Sequence, residues 1–130
     1  MKTEKIALTQ EEEIQAAIEK GKKKFKHVYK TIISDETIIW RKLKRGEYKE
    51  IMNMTIYKMA EGVDEQGNPI SEEVIDEDAT YDLRQEEIAK AVILYPEKNI
   101  VEDMAAVADI ISAECMIKSG FGEPHKTEKC

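Results

Sequence analysis

The stretch Ile39-Trp40-Arg41-Lys42-Leu43-Lys44-Arg45-Gly46-Glu47-Tyr48-Lys49-Glu50 decides how this chain is read. Its first residues are β-branched or aromatic and suit the end of a strand. Lys42, Lys44, Arg45 and Gly46 make a basic turn. Glu47 then stands where a helix begins, and a negative charge there meets the positive end of the helix dipole. A strand that turns directly into a helix places the junction between sheet and helices in this segment.

Upstream, Val28, Tyr29, Thr31, Ile32 and Ile33 are followed by Ser34-Asp35-Glu36 and then by Thr37, Ile38, Ile39 and Trp40. Two β-rich clusters around a turn predict a β-hairpin. A lone hairpin is marginal in water, so it must pack on helices or join a larger sheet. Earlier still, Thr9-Gln10-Glu11-Glu12 is a capping-box sequence that starts a helix. Ile14, Ala17 and Ile18 form its thin apolar stripe, and Gly21 is its expected stop. A helix this short needs a surface to dock on, either its own domain or a partner. Lys20, Lys22, Lys23, Lys24 and Lys26 then read as a solvated linker or as a contact for an acidic protein surface.

Downstream, Tyr48, Ile51, Met52, Thr55 and Met59 share a helical face, with Ile56 beside them, and Gly62 is the expected stop. Residues 62–79 are acidic, carry the turn signal Gly67-Asn68-Pro69 and read as a mobile loop, with Val74 and Ile75 docking one point of it. A further helix is expected to start between Thr80 and Asp82, with Leu83, Ile88, Ala91, Val92 and Tyr95 on its stripe and Pro96 at its end. A last helix starts at Asn99, with Glu102 completing a second capping box. Ile100, Met104, Val107, Ala108, Ile111 and Cys115 repeat at three and four, and Gly120 is its C′ residue. Phe121 either folds back on that helix or stands out as a binding anchor. The expected fold is α+β and mostly α: an N-terminal helix, one β-hairpin and three further helices in a single small domain. Residues 1–24 hold the first helix and basic linker, 25–121 the core domain with its acidic loop, and 122–130 a flexible tail. Trp40, Tyr48, Ile51, Val92, Leu94 and Ile111 are the expected core.

With 130 residues and a net charge of -7, the chain lacks the basic surface that nucleic acid requires. No apolar run reaches the ~20 residues of a membrane helix, and no apolar h-region follows the basic N-terminus, so neither a membrane partner nor a secretory signal is expected. Cys115 and Cys130 do not make a disulfide framework, which suits a reducing compartment.

The sequence carries no recognisable catalytic or metal-binding motif. His27 and His125 have no Cys or His at metal-ligand spacing. Cys115 lies on an apolar stripe beside Glu114, the setting of an inert thiol, and Cys130 is an incidental free thiol. Asp76, Glu77 and Asp78 lack the offsets of an EF-hand and read as a solvated loop. There is no phosphate loop, nucleophile elbow or HExxH. No enzyme activity, cofactor or metal is expected. Met52, Met54, Met59, Met104 and Met116 serve as core fillers or as an adaptable gripping surface.

Three phrases in order, Trp40-Arg41-x-Leu43-x-Arg45-x-Glu47-Tyr48, Leu94-Tyr95-Pro96 and Ser119-Gly120-Phe121, make the chain similar over residues 25–121 to the tail assembly chaperones and small baseplate proteins of tailed bacteriophages. Lys44 stands where those families commonly carry Thr, an N-cap residue. The resemblance implies a non-enzymatic morphogenesis protein that binds tape measure, tail tube or baseplate hub during tail assembly. The alternative is a permanent structural subunit of the baseplate, tail or neck, and a third reading is a host regulatory protein unrelated to phage. It implies the bacterial host cytoplasm during assembly, or the virion. A homo-oligomer is compatible with it. The residues it marks for partner binding are Trp40, Arg41, Arg45, Glu47, Tyr48 and Phe121. For Arg41, Arg45 and Glu47 the competing role is to fix the strand–helix junction.

Overall fold

The computed structural model describes residues 9–120 and 126–129. The elements in order are α1 (Gln10–Lys24), β1 (Val28–Ile33), β2 (Glu36–Arg41), α2 (Arg45–Met52), β3 (Tyr57–Val63), β4 (Pro69–Ile75), α3 (Glu77–Val92), β5 (Ile93–Tyr95), α4 (Ile100–Asp103) and α5 (Ala105–Lys118). This is an α+β fold in one small domain, with more helix than strand.

The expected first hairpin forms. β1 and β2 pair antiparallel, with Tyr29 opposite Trp40 and Thr31 opposite Ile38. Ser34 and Asp35 both take positive φ, as a two-residue hairpin turn with the right twist requires. The hairpin is completed by β5, giving the order β1-β2-β5. Trp40 pairs with Ile93 and Ile39 with Tyr95, so Leu94 is an extra residue on β5. Such a bulge turns neighbouring side chains off strict alternation. It lets Leu94 and Tyr95 both reach α1, as Leu94 meets Gly21 and the Tyr95 hydroxyl donates to Glu13 at 3.3 Å.

Strand alternation assigns the two faces of this sheet. Ile38 and Trp40 enter the main core with Ile88, Val92, Val107, Ile111 and Cys115 from α3 and α5. Ile39 and Arg41 point to the other face, where α1 lies across all three strands. The result is three layers: α1, the sheet, and α3 with α5. The first helix therefore docks on its own domain. Its capping box is present, with Glu12 N donating to Thr9 Oγ1 at 3.2 Å and Thr9 N to Glu12 Oε1 at 3.4 Å. Gly21 is not its stop. The helix runs on to Lys24, and a Cβ at Gly21 would lie 2.9 Å from Leu94 Cδ1 and 3.1 Å from Val28 Cγ2. Close approach to the Leu94 and Val28 side chains, not chain reversal, favours the glycine. The basic run is thus mostly the last turns of a helix, where cations suit the negative end of the dipole.

The centre of the chain departs most from expectation. The helix from Tyr48 does not continue to Met59; α2 ends at Met52, and Tyr57 begins a strand. Arg84 takes the carbonyl oxygens that a longer helix would have used. Its Nη2 donates to Met52 O at 2.8 Å and its Nε to Met54 O at 3.1 Å. The acidic loop expected over 62–79 is a second hairpin followed by the start of a helix. β3 and β4 pair over their full lengths, from Tyr57 opposite Ile75 to Val63 opposite Pro69. The turn between them is held by Asp64 Oδ1, which accepts from Gln66 N at 3.0 Å and Asn68 N at 2.8 Å. Gly67 there has φ +81°, the left-handed conformation that glycine adopts without strain.

α3 starts at Glu77, ahead of the Thr80–Asp82 expectation, because Asp76 Oδ1 caps it by accepting from Ala79 N at 3.1 Å. The carboxylates of Asp76, Glu77 and Asp78 therefore serve a helix start and not a loop. Tyr95 belongs to β5 and not to a helical stripe. The final helix is divided. Met104 is extended between α4 and α5, and Asn99 makes no side-chain cap bond, so the second capping box does not form. Gly120 does take the expected positive φ, and its N–H closes on Ile117 O at 3.1 Å. Of the expected core, Trp40, Ile51, Val92 and Ile111 are buried together and Tyr48 packs at their edge, whereas Leu94 serves the opposite face under α1.

Candidate functional site

The three sequence phrases converge on one junction. β5, which contains Leu94 and Tyr95, pairs with β2 just before Arg41. Ser119, at the end of α5, accepts the Leu43 N–H on its Oγ at 3.0 Å. Cys115 Sγ lies 3.6 Å from the same hydroxyl.

Arg41 is the centre of this junction. Its Nη1 and Nη2 meet Glu47 Oε1 and Oε2, each at 2.7 Å. Nη1 also donates to Lys42 O at 3.1 Å and Nη2 to Ala91 O at 2.8 Å. The guanidinium lies 4.7 Å from the Phe25 ring centroid, within cation–π range. One side chain thus ties β2 to α2, α3 and the end of α1. Glu47 Oε1 also accepts the Lys44 N–H at 3.0 Å. This reach-back supplies one half of a capping box without the Thr that Lys44 replaces. The Arg41 guanidinium holds the Glu47 carboxyl below the usual glutamate range, against an opposing effect of burial.

These contacts redistribute the expected partner-binding set. Trp40 is 1% exposed, donates to Thr31 Oγ1 at 2.8 Å and stacks on Tyr29 at 4.7 Å between centroids; it offers no surface to a partner. Arg41 is 9% exposed and committed to the junction. Glu47 is half-buried against it, and Tyr48 packs at the edge of the core. Arg45 is exposed and joins none of the junction bonds. Phe121, His125 and Cys130 lie outside the described residues. Of this set, Trp40, Arg41, Glu47 and Tyr48 take part in the junction and the adjoining core, and Arg45 faces outward.

A cluster of exposed apolar side chains lies elsewhere, on the β3–β4 hairpin. Among the described residues, neither face of this hairpin is covered by another element. Tyr57, Met59, Val63 and Ile75 are all exposed, Met59 to 60% and Val63 to 67%. Register puts these four on one face, with Glu61 and Glu73 beside them. The root of the hairpin is pinned firmly. Ile56 N donates to Thr80 Oγ1 at 2.9 Å, Thr80 Oγ1 donates to Ile56 O at 3.2 Å, and Asp76 N reaches the same carbonyl at 2.8 Å. Residue-by-residue reading missed this arm and its anchors, Thr80 and Arg84. The signal was present: Gly67-Asn68-Pro69 lies between a run with Ile56, Tyr57 and Val63 and a run with Ile70, Val74 and Ile75, the pattern of a hairpin.

A second surface feature is a groove of about 930 Å³ between α1 and the chain around the cis Tyr95-Pro96 peptide. Ala17, Phe25, Leu94 and Pro96 supply apolar lining, and Lys20 and Lys24 line it from α1.

Cys115 is buried, which pushes its thiol pKa up and favours the unreactive form. Among the described residues, no three His, Cys, Asp or Glu side chains converge as metal ligands, no buried side-chain N or O lacks a hydrogen-bond partner, and no helix is long and apolar enough to cross a membrane. No protein-family model, curated protein or solved structure matches the chain.

Proposed function

We propose that this chain is a non-enzymatic morphogenesis protein of tailed bacteriophages that binds tail components during assembly, and that the β3–β4 hairpin is the arm it binds with. The observation that carries the binding reading is the exposed apolar face of that hairpin. A two-stranded hairpin is marginal by itself, yet this one is held rigidly at its root and presents Tyr57, Met59, Val63 and Ile75 to solvent. Large exposed apolar patches mark interaction sites, and a free strand edge can add to a partner's sheet. The phage assignment is supported by the order of the three sequence phrases. Partners are the tape measure, tail tube or baseplate hub, met in the host cytoplasm.

The test is co-expression of the chain with candidate tail proteins, followed by affinity capture. Tyr57→Ser with Met59→Ser is expected to abolish capture while leaving the melting temperature of the chain nearly unchanged. Capture that survives this double substitution would remove the arm from the reading, and failure of every tail protein to be captured would remove the phage assignment. Mass spectrometry of purified particles then separates an assembly factor, absent from the virion, from a permanent baseplate, tail or neck subunit.

A further inference from the structure

We infer that the chain assembles head to tail with copies of itself, the β3–β4 arm of one copy lying in the α1 groove of the next. This rests on the reading of the hairpin as a binding arm and commits it to a second copy of the same chain.

The arm and the groove have complementary surfaces. The arm's apolar face carries Tyr57, Met59 and Val63, with Glu61 and Glu73 beside them on the same face. Asp64, Glu65 and Glu72 add further negative charge, against Lys58. The groove offers Ala17, Phe25, Leu94 and Pro96 as apolar lining, with Lys20 and Lys24 at one end. Lys22, Lys23 and Lys26 extend this basic surface beyond the groove, and all three are exposed. The groove also contains carboxylates. Glu36 stands at the far end of β2 from Arg41, within 3.9 Å of Lys98, and Glu13 accepts from Tyr95. Glu97 lines the groove as well, so its lysines and carboxylates balance, and the excess positive charge lies at the Phe25 end, where Lys22, Lys23 and Lys26 adjoin it.

Position explains why one copy cannot satisfy itself. The arm is rooted at the start of α3, through Thr80 and Asp76. The basic end of α1 adjoins the opposite end of α3, through Phe25, Arg41 and Ala91. α3 has 16 residues, which at 1.5 Å per residue separates the two by about 24 Å. That exceeds the Debye length of about 8 Å at physiological ionic strength, so the root of the arm is screened from the basic helix end, and no ion pair joins the arm to α1 among the described residues. A neighbouring copy brings them together. The lengths also agree. A seven-residue strand spans about 23 Å, and the 15-residue α1 beside the groove about 22 Å. Because arm and groove are different surfaces, the contact is heterologous. It propagates to a closed ring or to an open filament, depending on the rotation between copies.

The test uses the purified full chain in sedimentation velocity and two charge reversals. In the arm variant, Glu61→Lys is combined with Glu73→Lys; in the groove variant, Lys20→Glu is combined with Lys24→Glu. The wild type is expected to form oligomers whose association weakens about tenfold or more from low to high salt. Each variant alone is expected to sediment as a monomer. An equimolar mixture recovers assembly, since a basic arm then meets an acidic groove. A monomeric wild type at low salt overturns the inference. So does a groove variant that still assembles, as an arm-to-arm dimer would, or a mixture that assembles no better than its parts. Glu61→Gln with Glu73→Gln guards against a misfolded reversal: it removes charge without adding any, and undiminished salt dependence in that variant also overturns the inference. A chain that is monomeric alone, yet loses tail-protein capture on arm substitution, defeats self-assembly and leaves the proposed function standing. A chain that assembles as described but captures no tail protein does the reverse.

Discussion

Arg41 and Arg45 sit four residues apart in one sequence motif, and their surroundings give them different work. Arg41 joins Glu47, Ala91 and Phe25 across three helices, while Arg45 faces solvent. Removing Arg41 leaves Glu47 without its pair and the Ala91 carbonyl without that donor. Arg41→Ala should cost about 2–4 kcal/mol, somewhat under the about 3–5 of a fully buried pair, since the Glu47 side chain remains 29% exposed. Arg45→Ala should leave the melting temperature nearly unchanged. Equal effects of the two substitutions in a thermal melt would contradict the junction described here. The same pair sets a pH dependence. The folded Glu47 carboxyl titrates below its ordinary value, so the unfolded chain takes up the proton first as pH falls. The stability it contributes is fully present above the ordinary glutamate range and is lost as pH drops through the lowered value. The stability difference between wild type and Glu47→Gln should therefore shrink in acid; a difference that stays constant would show that the ionised pair is not its source.

Among the elements, α1 depends on a single glycine for its seat. Ile14, Ala17 and Ile18 are only half-buried, a thin stripe for a helix that would not persist alone in water. Gly21 is where the backbone comes down onto Leu94 and Val28. Gly21→Leu sets a branched side chain against Leu94 and Val28, and it should lift α1 from the sheet. Amide hydrogen exchange over residues 10–24 is expected to lose its protection in this variant while α3 and α5 keep theirs. Retained protection in α1 would show that the helix is held by other contacts. The second hairpin differs in kind. It gains little from burial, since its strands are almost wholly exposed, and its order comes from the turn at Asp64 and the hydrogen bonds at Thr80.

For the molecule as a whole, the main core is continuous from the sheet to α5, and Ile111 is fully buried within it. Ile111→Ala should destabilise the fold by about 2–5 kcal/mol through lost burial and the cavity left behind, measured by denaturant or thermal unfolding. An unchanged midpoint would separate α5 from the core. Charge organises the outside as burial organises the inside. Acidic side chains gather on the arm and lysines at the end of α1, and α3 holds the two regions apart.

Local chemistry by itself determined the first hairpin, the caps at Thr9 and Gly120, and the apolar residues of the main core. Each depends on neighbours a few residues away: a capping hydroxyl, a positive-φ glycine, an alternation or a helical repeat. What only the tertiary structure decided are features whose cause is distant in sequence. Residues 52–63 have a helical repeat, but Arg84 takes the Met52 and Met54 carbonyls and Thr80 holds Ile56, so the chain leaves α2 and becomes a strand. Tyr95 continues an apolar helical stripe, yet the free edge of β2 offers backbone partners and captures Ile93 to Tyr95 as β5. The motif Trp40 to Tyr48 was legible as important, but its role was not. Whether Arg41 faces outward or inward depends on Glu47, Ala91 and Phe25 arriving at the same point, and no local pattern specifies that meeting.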